Sequence, residues 1–171
     1  MTIRILIWAL FLIGGGAFSV WLDIRWFPRL FPDLYFHIVT LPVGLVILGA
    51  VMRASRNTGR LLAKFGREGE VPRFQTNRLV TAGVYSCMRH PMNFGLLFFP
   101  FALAFIMGSP TFILLIAPAE AVMMILLIRF VEERQAIRTF SLEYERYMRE
   151  VPFFSLKPEC LKQLFGKNDL H

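Results

Sequence analysis

Between His90 and Arg129 the sequence carries a single charged residue, Glu120. One α-helix over 35 or more of these residues would be about 52 Å long at 1.5 Å per residue, whereas the hydrocarbon layer of a bilayer is about 30 Å thick. The segment therefore has to fold back. Gly108-Ser109-Pro110 is the obvious place, with Ser109 as N-cap and Pro110 at the first position of the returning helix. Two antiparallel spans are predicted, about 92–107 and 110–130. Pro100 and Pro118 lie inside them and are expected to kink each one.

Two more spans precede this hairpin. A charge-free stretch from Ile5 to Leu22 is long enough to cross, and its Gly14-Gly15-Gly16 triplet permits close approach of a neighbouring helix. A cleavable signal peptide with Arg4 as a thin basic start is the competing reading; the long apolar run and the mid-span glycines favour a helix. The next span is predicted at about 34–52, with His37 near its start and Pro42 a turn or so further on. Hydrophobic residues make up 56% of the chain and charged ones 18%, against about 25% charged in soluble domains, which excludes disorder and points to a membrane protein. A disulfide scaffold is also excluded, because Cys87 and Cys160 are few and sit in unlike contexts. The expectation is an all-α polytopic membrane protein, one domain over 1–171, with about four or five transmembrane helices, a helical hairpin and a C-terminal amphipathic surface helix.

Charge sets the predicted orientation. The loop 53–90 holds eight Arg/Lys against two Glu, whereas Asp23–Asp33 balances two Arg with two Asp. By the positive-inside rule, the long loop, the tail and both termini face the cytoplasm. The net charge of +7 is thus assigned to loops facing membrane lipids and not to nucleic-acid binding. Residues 132–150 alternate in charge, with Phe140, Tyr144, Tyr147 and Met148 at helical spacing, and read as a helix on the membrane surface. In the tail 151–171 the last dozen residues are expected to fray.

Folding back makes neighbours of two polar clusters about 40 residues apart: Tyr85, Arg89, His90 and Asn93 at one end, Arg129, Glu132, Glu133 and Arg134 at the other. Arg129 and Glu133 stand at i, i+4, close enough to pair. Taken singly, each has a bland reading: interfacial arginine anchors, a helix-start histidine, an aromatic-belt tyrosine, a solvated glutamate pair. Together at one interface they suggest a site with cationic, hydrogen-bonding and anionic groups. Glu120, an acid inside the apolar region, is a functional candidate, with a protonated, helix-bonded carboxyl as the alternative. Cys87 reads as a small residue. Three dispersed histidines give no metal-ligand spacing, and no phosphate- or dinucleotide-binding glycine motif occurs.

These residues carry a resemblance. Thr81-Ala82-Gly83-Val84-Tyr85, Arg89-His90-Pro91-Met92-Asn93-Phe94-Gly95, Arg129 with Glu132-Glu133, Tyr144, Tyr147 and Val151-Pro152 are similar to the isoprenylcysteine carboxyl methyltransferase and phospholipid methyltransferase family, over roughly 45–152. The resemblance implies an integral membrane enzyme that uses S-adenosylmethionine. It implies that Asn77, Arg78, Leu79 and Val80 line the cofactor, that Tyr85 contacts it, and that Arg89, His90, Pro91, Met92 and Asn93 cup it. Glu133 would complete that site with Glu132 beside it, while Arg129 would serve the acceptor, giving Arg129, Glu132 and Glu133 the catalytic roles; Glu120 is an acceptor-site candidate by its place in the apolar region alone. One departure stands out: the family usually has Tyr where this chain has Asn93. The implied acceptor is lipid- or isoprenoid-like, with carboxyl O-methylation leading and phospholipid N-methylation or small-thiol S-methylation as alternatives. A nicotinamide-dependent membrane reductase and a four-helix scaffold or transporter are the readings from other classes.

Overall fold

The computed structural model describes residues 2–69 and 76–166; residues 70–75 of the expected loop and 167–171 of the expected tail lie outside them. Seven α-helices follow in order: α1 (Thr2–Trp26), α2 (Leu34–Phe65), α3 (Pro91–Leu96), α4 (Phe99–Met107), α5 (Ala117–Leu127), α6 (Glu133–Glu150) and α7 (Pro158–Phe165). A 3₁₀ turn occupies Gly83–Ser86, and widened π-helical turns occupy Phe112–Ile116 and Ile128–Glu132. Among the described residues there is no strand. Three helical stretches, Trp8–Trp26, Leu34–Phe65 and Phe112–Glu150, are long and apolar enough to cross a membrane, and Pro91–Met107 is apolar but shorter. The protein is an all-α polytopic membrane protein.

The chain divides into two compact units. The first joins the residues up to Gly49 with Leu97–Ile125; the second joins Ala50–Leu96 with the chain from Leu126 onward. In the first unit the expected turn is present. Gly108 ends α4 in the left-handed conformation (φ 59°), and the Ser109 hydroxyl accepts the Phe112 N–H at 3.1 Å as an N-cap. A second cap comes from α1. The fully buried Asp23 carboxylate accepts the Thr111 N–H at 2.8 Å and the Ser109 hydroxyl, placing a negative group where the returning helix leaves its first N–H groups unpaired. Close backbone contact occurs at Gly44 of α2, where a Cβ would fall 2.7 Å from the Ile106 nitrogen and 2.8 Å from the Ala102 oxygen of α4. Gly15 and Gly16 also face neighbours, whereas Gly14 faces open space.

The prolines act differently from the expectation. Pro100 opens α4 in its first turn, where its missing N–H costs nothing, so the predicted span 92–107 is two helices interrupted at Leu97–Phe98. Pro118 follows the widened turn Phe112–Ile116, which accommodates the ring without a break in the helix.

In the second unit α2 runs on to Phe65, well past the predicted end at Met52. Val51, Ala54, Asn57, Thr58 and Leu61 are buried at helical spacing, while Arg53, Arg56, Arg60 and Lys64 point outward. The first part of the expected loop is therefore an amphipathic extension of the helix. The core beneath it contains Ala54, Leu61, Val80, Val84, Tyr85, Met88, Phe94, Cys160 and Leu164. For the described part of the last dozen residues, the expected fraying corrects to helix α7. Leu164 is fully buried, the Asn57 amide donates to the Leu164 and Gly166 carbonyls at 2.8 and 3.0 Å, and Cys160 is disulfide-bonded to Cys87. That bridge also corrects the reading of Cys87 as merely a small residue; a sequence separation of 73 hid the pairing. Finally, the expected separate surface helix is continuous with the returning span through Ile128–Glu132. The break falls later, at Ser141, whose φ of 47° interrupts α6.

Candidate active site

The candidate site lies in the second unit, where the start of α3 meets the junction of the π-helical turn and α6. Pro91 begins α3 and the His90 carbonyl accepts the Phe94 N–H at 2.8 Å, so His90 stands at the helix start as expected. Arg89 is the most connected residue. Its Nε and Nη2 donate to Glu133 Oε1 at 3.0 and 2.7 Å, and its Nη1 donates to the Met148 and Val151 carbonyls at 3.1 and 2.7 Å. Its backbone N–H donates to the Pro152 carbonyl at 2.9 Å. The two ionised side chains are 7% and 3% exposed, so each depends on the other for compensation.

Arg129 supplies the second cation. It donates to Glu133 Oε2 across one turn, the i, i+4 pairing read from the sequence, but its side chain is 54% exposed. Glu132 is engaged by the residue that departs from the family pattern: the Asn93 amide donates to its Oε2 at 2.7 Å. His90 Nε2 lies 3.5 Å from Glu133 Oε1 and 3.4 Å from the Tyr144 hydroxyl. Burial pushes its imidazole below the usual histidine range, while the Glu133 and Glu132 carboxylates pull the other way. The ring is therefore neutral at neutral pH, able to offer one nitrogen as donor and the other as acceptor.

Arg89, His90, Asn93, Arg129, Glu132 and Glu133 thus form one connected group. The other residues singled out from the sequence have different surroundings. Tyr85 is buried in the core, its carbonyl accepting the Tyr147 hydroxyl at 2.5 Å; burial and then Tyr147 push its own hydroxyl up. Val80 is buried in the same core and Leu79 is half-buried. Pro91 is buried and Met92 half-buried at the start of α3. Asn77 closes a loop, exchanging hydrogen bonds with the Glu68 backbone at 2.7 and 2.9 Å, and the Asn77 and Arg78 N–H groups both donate to the Gly66 carbonyl. Glu120 belongs to the first unit. It is 5% exposed, neither oxygen has a hydrogen-bond partner among the described residues, and a Cβ at Gly15 would fall 2.9 Å from its Oε1.

Three features of the site escaped the sequence. The π-helical turn Ile128–Glu132 leaves no local signature, though such turns are frequent at functional sites. Tyr144 reaches His90, a contact hinted at only by the spacing of Tyr144 and Tyr147. Phe153 lies 4.9 Å from the His90 ring, tilted by 52°, and 5.7 Å from the Arg89 guanidinium carbon; the aromatic pair after Val151-Pro152 is its signal.

No curated protein and no solved structure matches the chain. The sequence model of phospholipid methyltransferases matches residues 35–143, well over half of the chain and inclusive of every member of the connected group. The chain belongs to the phospholipid methyltransferase family and is a membrane methyltransferase for lipid-like substrates.

Proposed function

We propose that the protein transfers the methyl group of S-adenosylmethionine to the carboxylate of an amphiphilic, isoprenylcysteine-like acceptor at the membrane interface. The observation that carries this reading is that both glutamates of the site are already engaged by donors. Glu133 takes Arg89 and Arg129, and Glu132 takes Asn93. Neither is a free base of the kind an ammonium acceptor would require, whereas a carboxylate acceptor is nucleophilic as it stands and needs only to be held. The half-exposed Arg129 suits that task, because its planar fork matches a carboxylate.

The donor set also suits the cofactor. When bound, S-adenosylmethionine supplies an electrophilic methyl on a sulfonium, together with an amino acid end and ribose hydroxyls. Neutral His90 and the remaining lone pairs of Glu132 offer acceptors for ammonium and hydroxyl groups. Asn77, Arg78, Leu79 and Val80, with Tyr85, Pro91 and Met92, would line the rest, as the family resemblance implies. Arg89 acts from behind. By fixing Glu133 and the Met148–Pro152 backbone it holds the polar face in one geometry, and alignment is the main thing methyl transfer asks of a protein. The orientation that accompanies this reading puts the site, the basic loop and both termini on the cytoplasmic side.

A phospholipid amine is the second reading, favoured by the depressed His90, whose neutral imidazole could take the amine proton. One assay separates the two. Purified protein in mixed micelles is given methyl-labelled S-adenosylmethionine with either a farnesylcysteine analogue or phosphatidylethanolamine. Label released as methanol by mild base reports a methyl ester and is the expected outcome; base-stable label in the lipid fraction would establish N-methylation, and no label in either would overturn the proposal.

A further inference from the structure

The chain leaves α6 at Val151, whose backbone is extended (φ −117°, ψ 129°), and bends again at Phe153 and Phe154. It is held against the start of α3 through backbone acceptors: the Val151 carbonyl takes Arg89 Nη1 at 2.7 Å and the Pro152 carbonyl takes the Arg89 N–H at 2.9 Å. These two bonds fix where residue 153 projects. The Phe153 ring lies half-buried between two partners, 4.9 Å from the His90 imidazole centroid with planes at 52°, and 4.4 Å from the Phe154 ring. Phe154 in turn stands 5.3 Å from Phe94 of α3, edge to face. The chain of rings anchors one face of His90 to the core.

The opposite requirement comes from α6. His90 Nε2 must stay within reach of Glu133 Oε1 and the Tyr144 hydroxyl, at 3.5 and 3.4 Å. Both distances are long for hydrogen bonds, so these polar contacts alone hold the ring loosely. The Phe153 ring, tilted 52° to the imidazole at 4.9 Å, is the contact that can limit rotation about χ2, which is otherwise broad for histidine. The charged and titratable groups that face His90 are Arg89 beside it, Glu132 and Glu133 from the start of α6, and Tyr144 one segment on. Phe153 is the apolar member of that surround.

We infer that Phe153 is a positioning residue of the active site: its ring, braced by Phe154 and held in place through Arg89, orients the His90 imidazole toward Glu133 and keeps water from its face. The inference rests on the proposed function for its consequence in binding, but not for its geometry. It predicts that the identity of residue 153 governs the protonation of His90 and, through His90, the affinity for the cofactor.

The test uses the full-length protein in detergent micelles, with ¹³C-labelled histidine. Only His37, His90 and His171 contribute signals, and a His90→Gln sample identifies the His90 resonance. In Phe153→Ala the His90 titration should move upward by about half a pH unit or more, because water reaches the imidazole and the two carboxylates then favour its charged form. Affinity for S-adenosylhomocysteine should fall about tenfold, and Phe153→Tyr, which keeps the ring, should restore both. If Phe153→Ala does not fold, Phe153→Leu removes the flat face while keeping an apolar side chain. A His90 titration that coincides with the parent's in a folded variant overturns the inference. So does a shifted titration with unchanged affinity in a parent that binds the ligand. A parent that fails to bind S-adenosylhomocysteine overturns the proposed function instead, and the titration still decides whether Phe153 positions His90.

Discussion

Asp23 and Glu120 in the first unit and Glu133 in the second are all acids shut away from water, and each is treated differently. Asp23 is neutralised by dipoles: a backbone N–H and a hydroxyl at the start of a helix. Glu133 is neutralised by two guanidiniums and approached by an imidazole. Glu120 receives no hydrogen bond at either oxygen. A buried carboxylate is tolerable only with compensation, and the kind of compensation separates roles. Dipoles that also end a helix serve the fold. Cations that keep an exposed side chain, as Arg129 does, are what the proposed acceptor site requires. An uncompensated acid in an apolar setting costs stability.

This ranking can be broken in four places. The largest effect is expected at Glu133→Ala, which strands Arg89 in the interior; breaking such a pair costs about 3–5 kcal/mol. Thermal unfolding in detergent should show the loss, accompanied by loss of S-adenosylhomocysteine binding; retention of both would remove Glu133 from the site. Asp23→Ala should cost about 2 kcal/mol, since it deletes a cap and leaves a buried N–H unpaired, and Asp23→Asn should cost less because its amide oxygen still accepts from Thr111. Equal losses for the two variants would show that charge, not hydrogen bonding, matters there. Glu120→Met should stabilise by about 1 kcal/mol, because an unpaired polar group gives way to an apolar one of similar length. A destabilised variant would mean that the carboxyl has a partner in the membrane.

The smallest effect concerns pH. Folded His90 holds off its proton to a lower pH than the unfolded chain does, so in the window between the two values the unfolded state binds more protons and stability rises with pH. Acidifying from about pH 7.5 to about 5.5 should therefore lower the melting temperature, and by less in His90→Gln. A drop of the same size in both proteins would exclude His90 as its source.

Much of this was legible because it is local. Charge-free length forces the fold-back, Gly108-Ser109-Pro110 marks its turn, and the Arg129–Glu133 pairing follows from one helical turn. What was not legible depends on distant partners. Arg89 reads as an interfacial anchor until Glu133, 44 residues later, and the Met148–Pro152 backbone are brought beside it. The extension of α2 was masked by its arginines, whose regular spacing on one helix face was mistaken for a loop's charge. Helix α7 lacks the length to announce itself; it is fixed by Asn57, by Leu164 in the core and by Cys87. Asn93 reads only as a departure from the family's Tyr, and its bond to Glu132 is a contact that no local pattern carries.

The Arg89 side chain joins three separate acceptors through nitrogens locked in one plane. A lysine there would keep the charge but present a single ammonium, too compact to span the same set. Engineering a new acceptor preference should therefore leave this guanidinium untouched and begin at Arg129, where half the side chain is already free to be reshaped.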